Sequence, residues 1–209
     1  MSSSPTSQPL DTFIPVLHAH NLSGGPGAQA VIRKLNFSWS AGLHWVCGDE
    51  GCGKTTLLRL LAGDLQPLSG TVQTPSDGVF WVDLQGSALD DTTVQACWDR
   101  LQPTYPHWNN ALLQDLSEAL DMERHRHKPL YMLSTGSRRK VGLIAALASG
   151  AAVTLLDQPF ASLDQTSIRT LKDFLSEAAE QPGRSWIVAD YEAPDDLPVA
   201  SVLRLNAPE

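Results

Sequence analysis

The sequence is poor in cysteine, lacks a long apolar run and has no excess of basic residues. Its three cysteines, Cys47, Cys52 and Cys97, are odd in number and form no close pairs, which disfavours a disulfide framework and fits a reducing compartment. No apolar run approaches the roughly 20 residues that a membrane-spanning helix needs. The polar start, MSSSPTSQP, lacks the basic and apolar parts of a signal peptide. If the protein serves a membrane process, we expect another chain to supply the membrane part.

The charge balance is acidic, with 15 basic and 23 acidic side chains and a net charge of −8. Phosphate backbones recruit basic surfaces, so this balance argues against nucleic acid as the main partner. The chain has 209 residues and is 42% apolar, which suits one compact domain with a sizeable core. We therefore expect a disordered, frayed tail over residues 1–10 and a single domain over residues 11–209.

Apolar periodicity predicts alternating strands and helices. Strands are predicted over residues 13–18, 31–39, 43–47, 70–73, 79–82, 152–156, 186–189 and 202–205, helices over 55–62, 93–101, 110–120, 135–149 and 165–180, and a Gly/Pro-rich turn over 21–29. Helical patterns dominate the middle of the chain, so we expect a helical part, about residues 86–150, inserted into an α/β core. Strands that alternate with helices imply a mostly parallel sheet covered on both faces.

A glycine-rich segment between a predicted strand and a predicted helix matches the pattern G-x-x-x-x-G-K-[ST]. Its residues are Gly48, Asp49, Glu50, Gly51, Cys52, Gly53, Lys54 and Thr55, followed by Thr56. Glycines let the backbone N–H groups turn around phosphate oxygens, and the dipole of the following helix favours the same anion. Lys54 is expected to reach the β- and γ-phosphates and the Thr55 hydroxyl to hold Mg²⁺. A chance strand–turn–helix is the alternative, but the Lys-Thr pair and the context favour a nucleotide site.

A second motif, LSTGS at residues 133–137, precedes three basic residues and an apolar helix. Alone it is typical of a helix N-terminus, with Ser134 or Thr135 as the cap and basic residues 138–140 on the exposed face. Here it is followed by the strand-like AVTLLDQP, residues 152–159, and by ASLD, residues 161–164. This ordered set resembles the nucleotide-binding cassette of ATP-binding cassette (ABC) transporters, over about residues 17–205.

The resemblance implies an α/β P-loop cassette with a mostly parallel core sheet, an N-terminal antiparallel β part and an inserted helical subdomain. It implies that Ser134 and Gly136 face the γ-phosphate bound by a partner subunit, so the site needs two copies arranged head to tail. Asp157 is expected to contact Mg²⁺, and Gln85 to contact Mg²⁺ and link the site to the membrane partner. The loop that couples the two sites of such a dimer corresponds to Ala161, Ser162, Leu163 and Asp164.

The chain departs from the family pattern at three places. Gln158 occupies the position of the usual Glu, and an amide can orient a water molecule but cannot accept its proton. Asp190 falls where the family has a His that contacts the γ-phosphate, and a carboxylate there repels phosphate unless it is protonated or turned away. Residues 21–32 contain no aromatic to stack on adenine, so the base is held weakly or by an apolar contact such as Val31.

The leading hypothesis is the ATP-binding subunit of an ABC transporter, which uses ATP and Mg²⁺ and pairs with a second copy or a related cassette. It would drive separate integral membrane permease subunits from the cytoplasmic face of the membrane. The segment YPHWN, residues 105–109, and the short length resemble small exporter-type cassettes such as the haem-exporter type. The alternative is a hydrolysis-deficient cassette that acts as an ATP-dependent binding or assembly module. ABC ATPases of DNA repair or translation are disfavoured, because neither a long coiled-coil insertion nor a second cassette is present.

Overall fold

Two β-sheets and five α-helices form the part of the chain that the computed structural model describes, residues 16–84 and 86–206. The strands are β1 (Leu17–Gly24), β2 (Ile32–Trp39), β3 (Gly42–Cys47), β4 (Ser69–Gln73), β5 (Val79–Phe80), β6 (Val153–Asp157), β7 (Ser185–Asp190) and β8 (Val199–Arg204). The helices are α1 (Lys54–Leu61), α2 (Val94–Leu101), α3 (Asn110–Ala119), α4 (Thr135–Ala148) and α5 (Gln165–Ala178). Short 3₁₀ turns lie at Ser87–Leu89, Gln102–Thr104, Glu123–His125 and Leu130–Met132.

The larger sheet has five strands in the order β5-β6-β7-β3-β8, and all its described pairs are parallel. The smaller sheet has the order β2-β1-β4 with antiparallel pairs. Parallel strands need crossover connections, which the helices supply, and these helices cover the sheet. The predicted α/β class with a mostly parallel core and an N-terminal antiparallel part is confirmed.

Two apolar clusters fix how the layers stack. One lies between the two sheets and joins α1, through Leu57 and Leu58, to β1 and to Leu155 and Ile187 of the larger sheet. The other covers the opposite face of the larger sheet and contains residues of α2, α3, α4 and α5. Helix α1 therefore packs on this face of the larger sheet, and its first turn lies at the carboxyl ends of β3 and β6, which is where ligands bind in open parallel sheets.

The first strand differs from its predicted range. It was expected over residues 13–18, whereas β1 runs Leu17–Gly24 and takes in the start of the predicted turn region. Register shifts after Ala19 and at Leu22 in its pairing with β2, and a φ of 47° at Asn21, let this glycine- and polar-rich segment stay paired. The five helices begin and end within two residues of their predicted ranges. The predicted tail, residues 1–10, lies outside the described residues.

A buried histidine, His44, lies in β3 with only 2% of its surface exposed. Its Nε2 lies 2.9 Å from the carbonyl oxygen of Ser40, which can only accept, so Nε2 carries the proton. Its Nδ1 then accepts from the Ser201 hydroxyl at 2.7 Å, and the ring stacks on Trp39. Burial lowers the pKa of His44 below its ordinary 6.5, and the hydrogen bond to Ser40 only partly opposes this.

This arrangement predicts a loss of stability in mild acid. The unfolded chain takes up a proton at His44 near pH 6.5 while the folded chain resists it, so the free energy of unfolding falls as the pH drops through 6.5. Urea unfolding from about pH 7.5 to about pH 5.5 measures the loss, and His44→Gln should flatten it. The exposed His127, changed to Gln, is the matched control. If the free energy of unfolding falls with pH equally in His44→Gln and in the original chain, the loss does not come from His44 and the prediction is contradicted.

Candidate nucleotide-binding site

The phosphate loop connects the end of β3 to the start of α1, as predicted. Gly48 and Gly53 have φ angles of 155° and 100°, which L-residues rarely adopt. A Cβ on Gly48 would lie 2.5 Å from the Cys52 sulfur, and one on Gly53 would lie 2.8 Å from a methyl group of Val31. The loop is therefore closely packed, and it needs glycine at both positions. The same contact places Val31, the predicted apolar partner for adenine, against the loop.

Lys54 points its ammonium group back into this loop. The residue is 6% exposed, and Nζ donates to the carbonyl oxygens of Gly48 at 2.6 Å and of Asp49 at 2.9 Å. A buried ammonium needs such acceptors, because an unpaired buried charge is strongly unfavourable. The loop thus holds a positive charge at the place where the pattern expects the β- and γ-phosphates.

Thr55 and Asp157, two of the three residues predicted to contact Mg²⁺, are in direct contact. Thr55 lies in the first turn of α1 and Asp157 ends β6, and the Thr55 hydroxyl donates to Oδ2 of Asp157 at 2.5 Å. Burial raises the pKa of Asp157, while the Thr55 hydrogen bond and the charges of Arg139 and Lys54 act the other way. A hydroxyl beside a carboxylate is the hard oxygen donor set that Mg²⁺ takes together with phosphate and water, so these residues fit the ion.

Gln158 follows directly and is firmly held by its backbone. Its φ is 44°, its N–H donates to the carbonyl oxygen of Ala189 at 2.8 Å, and Arg139 donates to its carbonyl oxygen at 2.7 Å. Arg139 also donates to the Asp157 carbonyl oxygen at 3.1 Å. Thr55, Asp157, Gln158 and Arg139 all line one cavity of about 280 Å³ between the larger sheet and α4. Gln158 thus lines the same cavity as Thr55 and Asp157.

The second motif starts α4, and its Ser134 is the N-cap. The Ser134 hydroxyl accepts from the Ser137 N–H at 3.1 Å, as the sequence predicts for a cap. A Cβ on Gly136 would lie 2.3 Å from the carbonyl oxygen of Ser162, whose own φ is 62°. Within one chain, Gly136 and the Ser162 loop are therefore in direct contact, and the cap residue bonds to its own helix.

Asp164, at the end of the same loop, caps α5. Its carboxylate accepts from the Ser167 N–H and hydroxyl, each at 2.8 Å, and from Lys140 of α4 at 2.8 Å. The Lys140 ammonium, followed by the Ser167 bonds, holds the pKa of Asp164 well below its usual range. Asp164 thus links the start of α5 to the helix that carries Ser134 and Gly136.

The motif taken alone suggested that basic residues 138–140 lie on the exposed face of α4, but all three are only partly exposed. The side chains of Arg138 and Lys140 are each 12% exposed. Arg138 donates to the carbonyl oxygens of Leu84 and Gly86 and forms an ion pair of 2.5 Å with Asp90. The interpretation was wrong because one turn of α4 packs on the loop after β5, and periodicity alone does not show that contact. Gln85, which follows Leu84 in the sequence and was predicted to contact Mg²⁺, lies outside the described residues.

Asp190 and Tyr191 differ in how they face the loop. Asp190 ends β7 and pairs with Cys47, and its carboxylate accepts from the Tyr191 N–H at 2.8 Å. Val188 packs in the apolar cluster that contains Cys47, whereas Ala189 packs in the cluster around α1. Side chains alternate along a strand, so Asp190 shares the face of Cys47, and Tyr191 follows on the α1 face. No role was predicted for Tyr191, because its position beside Lys54 is a contact between distant segments that no local pattern shows.

A parallel sheet with this loop, a buried Lys54 and the Thr55–Asp157 pair defines a P-loop nucleotide-binding protein. The model of the ABC transporter family matches residues 32–161. The chain belongs to the ABC transporter family, and it is an ATP-binding subunit of such a transporter.

Named relatives agree with that family. The chain is 31% identical over 198 residues to a cytochrome c biogenesis ATP-binding export protein CcmA of Idiomarina loihiensis, covering 85% of this chain and 86% of that one. It is 32% identical over 186 residues to the CcmA of Cupriavidus pinatubonensis, covering 83% and 82%. A taurine import ATP-binding protein, TauB of Escherichia coli, is 23% identical over 204 residues, covering 92% and 80%.

Solved structures show the same fold. An ABC transporter ATP-binding protein from Pyrococcus furiosus superposes with a TM-score of 0.71 at 23% identity, covering 91% of this chain and 96% of that chain. The ATP-binding cassette architecture expected from the sequence motifs is therefore confirmed.

Proposed function

We propose that the chain binds MgATP at the phosphate loop, pairs head to tail with a second cassette, and drives separate membrane subunits that export a substrate. The observation that carries the proposal is the meeting of Thr55 with Asp157 at 2.5 Å beside the buried Lys54. Lys54 supplies charge for the phosphates, and Thr55 and Asp157 supply oxygens for Mg²⁺, which would screen the charge of the triphosphate. Gln158 would orient water without removing its proton.

The start of α4 supports the proposed pairing. The first N–H groups of this 14-residue helix and the Ser134 hydroxyl would offer a binding place for an anion. In the isolated chain the Ser134 hydroxyl bonds to Ser137, and Gly136 packs on Ser162, so neither residue is engaged with its own phosphate loop. A second copy, related by a two-fold axis, would bring each helix start to the other copy's γ-phosphate and complete two equivalent sites.

Export is supported by the relatives rather than by the site. Two relatives that are 31% and 32% identical are named export proteins, whereas the relative named for taurine import is 23% identical. Across residues 16–84 and 86–206, no helix combines the length and apolarity needed to cross a bilayer. Because the chain belongs to the ABC transporter family, we propose integral permease subunits as partners and the inner face of the membrane as the place of action.

A second candidate function follows from Gln158. With an amide in the position next to Asp157, the chain would bind MgATP and persist as a dimer, acting as an ATP-dependent assembly module without appreciable turnover. The two functions share the binding site and differ in hydrolysis alone.

MgATP is expected to convert the chain from monomer to dimer, and Ser134→Asp is expected to prevent this. Aspartate caps a helix as well as serine does, so α4 should keep its start, but its carboxylate would repel the γ-phosphate. Sedimentation velocity with and without MgATP measures the change. Thr93→Asp, which also replaces a capping hydroxyl by a carboxylate, but at the N-cap of α2, is the matched control.

Two results would count against the proposal. Dimerisation of Ser134→Asp equal to that of the original chain would contradict the role of Ser134. Titration calorimetry that detects no ATP binding to the original chain would contradict the nucleotide site itself.

A further inference from the structure

Tyr191 places its aromatic ring against the ammonium group of the phosphate loop. The Nζ of Lys54 lies 4.8 Å from the centroid of the Tyr191 ring, within the range of a cation–π interaction. Tyr191 follows β7 directly, on the sheet face that carries α1, and 51% of its surface is exposed. The half-exposed Tyr191 ring thus contacts the buried Lys54 ammonium from the solvent-exposed side of the site.

The ring adds a third restraint on Lys54. An ammonium group has three N–H donors, and two of them go to the carbonyl oxygens of Gly48 and Asp49. The ring attracts the ammonium through its π face and restricts the flexible lysine stem from another side. A phosphate oxygen that arrives at the loop therefore meets a lysine already placed, with little rotamer freedom left to lose.

We propose that Tyr191 is a positioning residue of the phosphate site, whose ring holds the Lys54 ammonium in the loop and so strengthens nucleotide binding. The proposal rests on the proposed binding of MgATP. It assigns the effect to the ring and not to the hydroxyl. Because Lys54 serves the β-phosphate as well as the γ-phosphate, ADP and ATP should be affected alike.

Three variants separate the ring from the hydroxyl. Tyr191→Leu removes the ring, Tyr191→Phe keeps it, and Tyr131→Leu removes a similarly exposed tyrosine from the 3₁₀ turn before α4 as a control. By calorimetry, Tyr191→Leu should raise the dissociation constants of MgATP and MgADP by about 2- to 5-fold, the strength of an exposed cation–π contact. Tyr191→Phe and Tyr131→Leu should match the original chain.

A second measurement needs no nucleotide. In protein labelled with ¹³C-lysine, the ε-methylene signal of Lys54, assigned with Lys54→Arg, should lose an upfield ring-current shift in Tyr191→Leu and keep it in Tyr191→Phe. A merely structural role of Tyr191 would not produce this pattern.

Several results would overturn the proposal. These are equal weakening by Tyr191→Phe and Tyr191→Leu, loss of ATP affinity without loss of ADP affinity, tighter binding by Tyr191→Leu, and an ε-methylene signal that does not respond to Tyr191→Leu. Absence of ATP binding by the original chain would contradict the proposed function itself, and the ring-current shift would still report the contact.

Discussion

Replacing Gln158 with glutamate raises the rate of MgATP hydrolysis by roughly 10²–10⁴-fold, the usual contribution of a positioned general base. The neighbouring contacts within one chain are already in place: Lys54 is held in the loop, Thr55 meets Asp157, and the backbone of residue 158 is fixed by Ala189 and Arg139. Because the side chain is the sole change, the new carboxylate takes the place of the amide next to the Mg²⁺ residues. It can accept a proton from the attacking water, which the amide cannot.

The measurement is steady-state phosphate release from MgATP by the original chain and the variant. Gln181→Glu, after the end of α5, makes the same change of charge in an exposed position and should leave the rate unchanged. Dimerisation on MgATP with no turnover in either protein would favour the assembly-module function. A fast original chain that glutamate does not accelerate would show that Gln158 does not limit hydrolysis.

The phosphate loop and the helices could be predicted because their signals are local. Gly48, Gly53 and Lys54 lie within one short segment, and the strand before it and the helix after it carry their own periodicity. The predicted cap Ser134 is equally local, since its hydroxyl accepts from the N–H of the residue three positions later. The order of these segments along the chain was enough to indicate the family, which the comparison with known proteins bears out.

What could not be predicted depends on contacts between distant segments. β7 ends at Asp190 because it pairs with β3 as far as Cys47, and no pattern within β7 itself shows that limit. Since side chains alternate, an error of one residue moves a side chain to the other face of a sheet. The position of the Tyr191 ring beside Lys54 depends on this pairing, so the sequence predicted no role for Tyr191. Arg138 was misjudged for the same reason, because its partners Leu84 and Gly86 are more than fifty residues away.

Arg138 and Arg139 join the site to the helical part of the chain. Arg138 binds the loop after β5, and its neighbour Arg139 binds the carbonyl groups of Asp157 and Gln158. Both belong to α4, the helix whose N-cap is Ser134. A shift of α4 would therefore move its hydrogen bonds to residues 157 and 158 and to the loop after β5 at the same time. The proposed binding at the start of α4 would in this way change the position of the residues beside the Mg²⁺ site.

Lys54→Met is expected to weaken MgATP binding by roughly 10- to 150-fold, the loss of a hydrogen bond between charged groups. Methionine has a similar length and is apolar, so it should fill the space while removing the charge that the loop presents to the phosphates. The carbonyl oxygens of Gly48 and Asp49 lose their donor, but both lie in a loop that water can reach, so the fold should survive. Calorimetry gives the affinity, and thermal unfolding without nucleotide checks the fold. Lys172→Met, which breaks the surface ion pair with Asp196, is the matched control and should bind normally. Unchanged affinity in a folded Lys54→Met would mean that the phosphates bind elsewhere, and the assignment of the whole site, including Tyr191, would then fail.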